Sequence, residues 1–141
     1  MIGGVRPRFF RNTGGGFEES GALPDIDRPV RVALFFDHDL SGYDDLLLLP
    51  LDEPAVFLEN YEGVYRERAI GLERSFVNPT AAAAGDYTRN GFPDIFIAQN
   101  GNWRIHPPAG LYEYPVAPPE DNGESNHLFA GNGTEYVETT K

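Results

Sequence analysis

Short apolar runs separated by turn residues extend along the whole chain, and this pattern predicts β-strands throughout. Gly, Pro, Asn and Asp, which favour turns, stand between the runs. Helical periodicity is scarce, because the best helical candidate, residues 80–84, meets Gly85 at once. The predicted strands are residues 8–11, 17–20, 30–36, 45–51, 55–58, 64–69, 81–86, 94–98, 127–130 and 136–139.

Two acidic loops recur along the chain at a fixed spacing. Residues 37–45 and 86–94 are 49 positions apart, and both carry Asp at their first and ninth places and Gly at their sixth. Polar residues occupy the third and fifth places, and an apolar strand follows each loop. Self-similarity at such a period indicates a repeat architecture.

A plain hairpin also recurs, over residues 10–19, 57–67 and 128–138. Each copy has a short strand, a turn rich in Gly or Asn, and an aromatic residue at the start of the return strand. The larger gap between the second and third copies predicts an insertion over about residues 101–125.

One acidic-loop hairpin and one plain hairpin make four strands, which is the size of a propeller blade. The sequence therefore predicts an all-β fold with propeller-type four-stranded blades, about two full blades plus a half blade. Residues 1–24 would form the outer hairpin of a preceding blade, 25–74 the first full blade, and 75–141 the second with its insertion. Such a piece is open at both ends and cannot close a ring, so the chain is expected either to belong to a longer product or to complete itself with neighbours.

Residues 84–98, which read AGDYTRNGFPDIFIA, resemble the FG-GAP/VCBS repeat of integrin-α-like propellers. The hairpins resemble those of the cartilage-acidic-protein and UnbV-like branch, and the resemblance covers nearly the whole chain apart from the insertion. It implies that an Asp-rich, calcium-binding loop joins the first two strands of each blade. Family loops usually carry Asp at the fifth place, so Ser41 is a departure from the family pattern, as are Thr88 and Asn90 in the second loop.

The two loops have the oxygen donors that calcium prefers, at a spacing that can surround one ion. The first loop contributes three carboxylates and the second only two, so tighter binding is expected at the first. His38 is predicted to face outward between ligands, and Asp44 to face solvent. The alternative is a pair of acidic turns that hold no ion. The expected ligands are Asp37, Asp39, Ser41, the carbonyl of Tyr43, and Asp45; then Asp86, Thr88, Asn90, the carbonyl of Phe92, and Asp94.

Composition narrows the possible functions. The chain has 22 acidic and 11 basic residues, a net charge of −11 and a pI near 4.5, which argues against nucleic acid and anionic membranes as partners. The absence of Cys excludes a disulfide scaffold and a thiolate zinc site. The longest apolar run, residues 46–49, is too short to span a membrane. We expect an extracellular or cell-surface protein whose secretion signal is not present in this chain.

Three further features bear on function. No catalytic arrangement of nucleophile, base and acid is recognisable, so no enzymatic activity is expected. The insertion carries Trp103, Tyr112 and Tyr114, which suit either a loop that recognises a protein or carbohydrate partner or a lid packed on the blade. Asn132 begins a glycosylation sequon in a predicted turn.

Two functions remain open from the sequence. The first is a calcium-stabilised propeller module for adhesion or recognition, with Ca²⁺ in a structural role. The second is a self-assembling protein in which incomplete blades pair head to tail through their strands, as a ring or a filament.

Overall fold

The computed structural model describes residues 6–51, 53–99 and 125–140, and within these residues the chain is all-β. One two-stranded and two four-stranded antiparallel sheets are formed, and these ranges contain no helix, so none that could cross a membrane. The predicted fold class is confirmed. The strands are β1 (Phe10–Asn12), β2 (Phe17–Glu19), β3 (Val30–Phe36), β4 (Asp45–Pro50), β5 (Val56–Tyr61), β6 (Val64–Glu67), β7 (Pro79–Gly85), β8 (Asp94–Gln99), β9 (His127–Gly131) and β10 (Tyr136–Glu138).

The first four-stranded sheet is a meander in the order β3-β4-β5-β6. Its second strand, β4, is buried along its whole length, because both faces of the sheet are covered. A strand covered on both faces reads as a continuous apolar run rather than an alternating one. This explains the four consecutive leucines at residues 46–49.

The second four-stranded sheet, β7 to β10, repeats the meander. Alanine favours helix, yet residues 81–84 form the middle of β7, because each of them pairs with a residue of β8. The prediction of a strand here is confirmed. The predicted insertion follows β8 in the sequence, and Trp103, Tyr112 and Tyr114 lie outside the described residues.

The main core lies between the two four-stranded sheets. Leu47, Leu49 and Phe57 from the first sheet pack in one cluster with Ile95 and Ile97 from the second. Burial of each such side chain contributes about 1.5–3 kcal/mol. The connection between β6 and β7 adds further apolar side chains to this cluster, namely Ile70, Leu72 and Phe76.

A second, smaller core covers the other face of the first sheet. Leu46, Leu48 and Val56 pack there against Ile26 and Phe9, which flank the β1–β2 hairpin. The hairpin strands themselves are exposed, and the contact with the first sheet is made by the residues that flank them. The two strands of the hairpin match in number the half blade predicted from the sequence.

A backbone hydrogen bond shows that the sheets repeat in three dimensions. The Tyr65 N–H in β6 donates to the Ala22 carbonyl at 3.3 Å, and the Tyr136 N–H in β10 donates to the Ile70 carbonyl at 2.7 Å. In both sheets the segment that precedes the first strand thus runs beside the fourth strand. We call the segment before the first strand of each sheet its lead-in segment; it hydrogen-bonds to the fourth strand, at the outer edge of the same sheet.

Candidate cation-binding loops

The two acidic loops connect the first and second strands of each four-stranded sheet, and their first-place aspartates have the same geometry. Asp37 accepts hydrogen bonds from the Ser41 and Gly42 N–H groups at 2.9 and 2.7 Å. Asp86 accepts the corresponding bonds from Asn90 and Gly91, both at 3.0 Å. The loops are therefore one structural motif used twice.

Left-handed backbone conformations allow these tight turns. Gly42 and Gly91, at the sixth place of their loops, have φ of 87° and 92°. Leu40 and Arg89, at the fourth place, have φ of 62° and 59°, which side chains other than glycine adopt rarely. The shared pattern indicates that both loops are held in shape by their own hydrogen bonds.

The ninth-place aspartates are buried and fasten each loop to the neighbouring hairpin. Asp45, 1% exposed, accepts hydrogen bonds from the N–H groups of His38 at 3.0 Å and Asn60 at 2.8 Å. Asp94, 2% exposed, accepts them from Thr88 at 2.6 Å and Gly131 at 2.9 Å. Both carboxylates thus have a structural role before any ion is considered.

His38 is fully buried, so the prediction that it faces outward was wrong. Its Nδ1 lies 2.7 Å from Asp45 Oδ2, and its ring packs edge-on against Phe57 with centroids 4.9 Å apart. Within the described ranges, Nε2 has no hydrogen-bond partner. The sequence signal was the alternation of β3, since buried Phe36 and His38 are two residues apart. Asp44 is exposed, as predicted.

The first loop brings together some, but not all, of its predicted ligands. Ligand atoms of His38, Asp39 and Asp45 all lie within 4.8 Å of one another. Asp37 is adjacent to this group, because Ser41 donates backbone hydrogen bonds to both Asp37 and Asp39. Burial alone would raise the pKa of Asp39, but hydrogen bonds from Ser41 and the proximity of His38 lower it overall.

The carboxylates of the first loop can provide some, but not all, of the oxygen ligands that a hard cation requires. A carboxylate can accept about four hydrogen bonds or ligand contacts. Asp37 accepts hydrogen bonds from the Ser41 and Gly42 N–H groups and the Ser41 hydroxyl, and Asp39 accepts from the Ser41 N–H, but both carboxylates are at least partly exposed and can take a further ligand. Asp45 is buried and already faces three nitrogens of His38 and Asn60. Tyr43 is exposed, and its N–H lies 3.4 Å from Ser41 Oγ. An ion here would be held mainly by Asp37 and Asp39.

The polar side chains of the second loop are already engaged in hydrogen bonds within the protein. The Thr88 hydroxyl lies 3.2 Å from Asp94 Oδ1, and Asn90 Nδ2 donates to the Gly131 carbonyl at 2.7 Å. Asn90 Oδ1 accepts from the Phe92 N–H at 2.9 Å. The side chains at its third and fifth places are therefore engaged, and Asp86, which accepts from the Asn90 and Gly91 N–H groups, is the main exposed carboxylate. The second loop fits a cation less well than the first.

Asp94 should make folding stability depend on acid pH. Burial alone would raise the pKa of Asp94, but hydrogen bonds from the Gly131 and Thr88 backbone and the Thr88 hydroxyl outweigh it and lower the pKa. A carboxyl with a lowered folded-state pKa stabilises the fold above its unfolded pKa, about 3.9, and loses this contribution as pH falls through the folded value. In calcium-free buffer, we expect the melting temperature to fall between about pH 4 and pH 2.

The Asp94→Asn variant should melt lower at neutral pH and lose less on acidification, because it has no carboxylate to protonate. Circular dichroism melts of both proteins over this range measure the difference. Equal losses in both proteins would show that other groups carry the acid sensitivity.

Asn132 lies in the β9–β10 turn and is exposed. Its Oδ1 accepts hydrogen bonds from the Thr134 and Glu135 N–H groups, both at 2.9 Å. The sequon is thus in an accessible turn, and its glycosylation stays a prediction.

Comparisons of this chain with protein-family models, with curated proteins and with solved structures found no match in any of the three.

Proposed function

We propose that this chain is a calcium-binding, extracellular propeller-type module for adhesion or recognition, similar to FG-GAP/VCBS repeats, in which the ion stabilises the fold. The observation that carries the proposal is the first loop, where the carboxylates of Asp37 and Asp39 are at least partly exposed beside a turn already formed by backbone hydrogen bonds. A loop with this shape needs little reorganisation to take up an ion.

Electrostatics supports a structural role for the ion. Carboxylates held close together repel one another, and the repulsion opposes the folded turn. A bound cation removes it and stabilises the folded state by RT ln(1 + [L]/Kd), which is about 2.7 kcal/mol at a hundredfold excess over Kd. Partner recognition would then rest on surfaces that this rigid scaffold positions.

Thermal melting with and without calcium tests the proposal. We expect calcium at millimolar concentration to raise the melting temperature above that in chelator. Asp39→Asn should remove most of this increment, because it removes a carboxylate of the first loop without touching the bonds of Asp45. The matched control is Asp44→Asn, which changes an exposed neighbour and should keep the increment.

Two results would contradict the calcium proposal. The first is a melting temperature that does not change with chelator. The second is an equal loss of the increment in the Asp39 and Asp44 variants, because the ion would then respond to overall charge rather than to this loop. Isothermal titration with Ca²⁺ on the same proteins gives the number of sites.

The alternative function is head-to-tail self-assembly into a ring or filament. An exposed aromatic at each open side favours it: Phe35 on the N-terminal side of the first sheet is 47% exposed, and Phe96 on the far side of the second is 42% exposed. Assembly of this kind joins the two sides, so it needs both surfaces.

A further inference from the structure

The face of the second sheet that points away from the first sheet carries, on its strands β7 to β10, no charged side chain except the buried Asp94. We call it the outer face. Paired rows define it, since Ala83 pairs with Phe96 and Phe96 pairs with Leu128. The adjacent rows add more small or apolar residues, and Val137 in β10 is 60% exposed. Its positions are Ala81, Ala83, Gly85, Phe96, Ala98, Leu128, Ala130 and Val137.

The equivalent face of the first sheet is buried. Counted along the repeat, Leu47 corresponds to Phe96 and Phe57 to Leu128, and both of these first-sheet residues lie in the main core. That core exists because the second sheet covers them. The outer face of the second sheet is therefore apolar like its counterpart on the first sheet, which the second sheet covers.

The shape of the outer face differs from that of the equivalent face of the first sheet. Where the first strand of the first sheet has Leu34 and Phe36, the second sheet has Ala83 and Gly85. These small residues line a hollow of about 480 Å³ together with Phe96, Leu128, Tyr87 and the two acidic residues Asp86 and Asp94. A cavity of roughly 150 Å³ already accommodates a benzene ring, so the hollow has room for an aromatic side chain.

This difference decides which occupant fits. A further blade shaped like the second sheet would leave a void over Ala83 and Gly85, and voids in an apolar interface cost packing energy. A surface that projects its own aromatic side chain would fill the hollow. The outer face is such a surface, because Phe96 is 42% exposed on it.

We propose that the outer face binds the outer face of a second copy of this chain in a two-fold symmetric dimer. Phe96 of each copy enters the hollow over Ala83 and Gly85 of the other. A two-fold interface brings the same patch together twice, so a patch with both a projection and a hollow is self-complementary.

Charge and area both oppose tight association, so the dimer is expected to be weak. The chain has a net charge of −11, so two copies repel each other, and they can approach with least repulsion through this apolar face. Strand and residue spacings give the face an area of roughly 400 Å², which is half of a standard partner surface. We therefore expect a weak dimer that dissociates at micromolar protein concentration.

Sedimentation equilibrium of the whole chain in chelator, from about 10 μM to about 1 mM protein, tests the proposal independently of calcium. We expect a monomer–dimer equilibrium. Phe96→Arg should raise the dissociation constant at least roughly tenfold, because it removes the aromatic anchor and buries an unpaired charge. Ala83→Arg should do the same by filling the hollow. Phe35→Arg, a matched change at an equally exposed phenylalanine, should leave the dimer intact.

Three results would overturn the two-fold dimer. One is a monomer at every concentration, as expected if the chain covers this face itself. Another is a dimer that both outer-face variants retain. The third is an assembly that grows beyond the dimer and is lost in the Phe35 variant as well as in the Phe96 variant, which is the behaviour of head-to-tail contacts. Circular dichroism of each variant confirms that it is folded.

Discussion

Replacement of Asp45 by alanine is expected to lower the free energy of unfolding by about 3–5 kcal/mol, even in the presence of chelator. The carboxylate accepts hydrogen bonds from the N–H groups of His38 and Asn60 and faces His38 Nδ1, at distances between 2.7 and 3.0 Å. Asp45 and His38 are almost inaccessible to water. The substitution leaves these donors without partners, and each unpaired buried donor costs about 1–3 kcal/mol.

Urea unfolding in chelator measures this loss, with Asp44→Ala as the control. Asp44 is adjacent in sequence but exposed, and its carbonyl, which accepts from Asn60 Nδ2 at 2.9 Å, is unaffected by the substitution. We expect the control to stay within about 0.5 kcal/mol of the wild-type protein. Similar losses in the two variants would show that Asp45 acts through general charge and not through its buried bonds.

The Asp45 result also separates two roles of the acidic loop. A residue that acts only as a calcium ligand should matter only when calcium is present. Because the buried Asp45 carboxylate holds the loop by hydrogen bonds, the Asp45 variant is expected to lose stability with or without the ion. The calcium-dependent increment is therefore better tested at Asp39.

Gly71→Ala is expected to destabilise the protein by about 3 kcal/mol or more. Gly71 has φ of +88°, and a Cβ placed there would lie 2.4 Å from the carbonyl oxygen of Tyr136. That oxygen cannot retreat easily, because the Tyr136 N–H donates to Ile70 at 2.7 Å and the Tyr136 ring is buried. Both the backbone conformation and the close approach therefore oppose a side chain.

Gly42→Ala separates these two causes. Its φ is +87°, nearly that of Gly71, but a Cβ added at Gly42 would have no neighbouring atom within 4 Å. We expect about 1–2 kcal/mol of destabilisation from the backbone conformation alone. Urea unfolding of both variants gives the difference, which is the cost of the contact with β10. If the two variants lost the same stability, the close approach of the Tyr136 carbonyl to Gly71 would add no steric cost.

Much of the fold was accessible from the sequence because β-strands follow local rules. The apolar runs, the Gly and Asn turns and the 49-residue repeat predicted the all-β class, and the two four-stranded sheets and the N-terminal hairpin agree with the predicted blades. The first-place aspartates could also be anticipated, since Asp37 and Asp86 bond to backbone groups four and five residues further on. Contacts this local are set by neighbours in the chain.

Only the tertiary structure decided which distant groups bind the ninth-place aspartates and which residue packs over His38. Asp45 binds Asn60 and Asp94 binds Gly131, partners 15 and 37 residues away, and the core residue Phe57 covers His38. The same holds for the outer face, because Leu47 and Phe96 occupy equivalent places in the repeat, yet one is buried and the other exposed. Local sequence fixes which way a side chain points from its strand, but burial depends on which distant segment packs against that face.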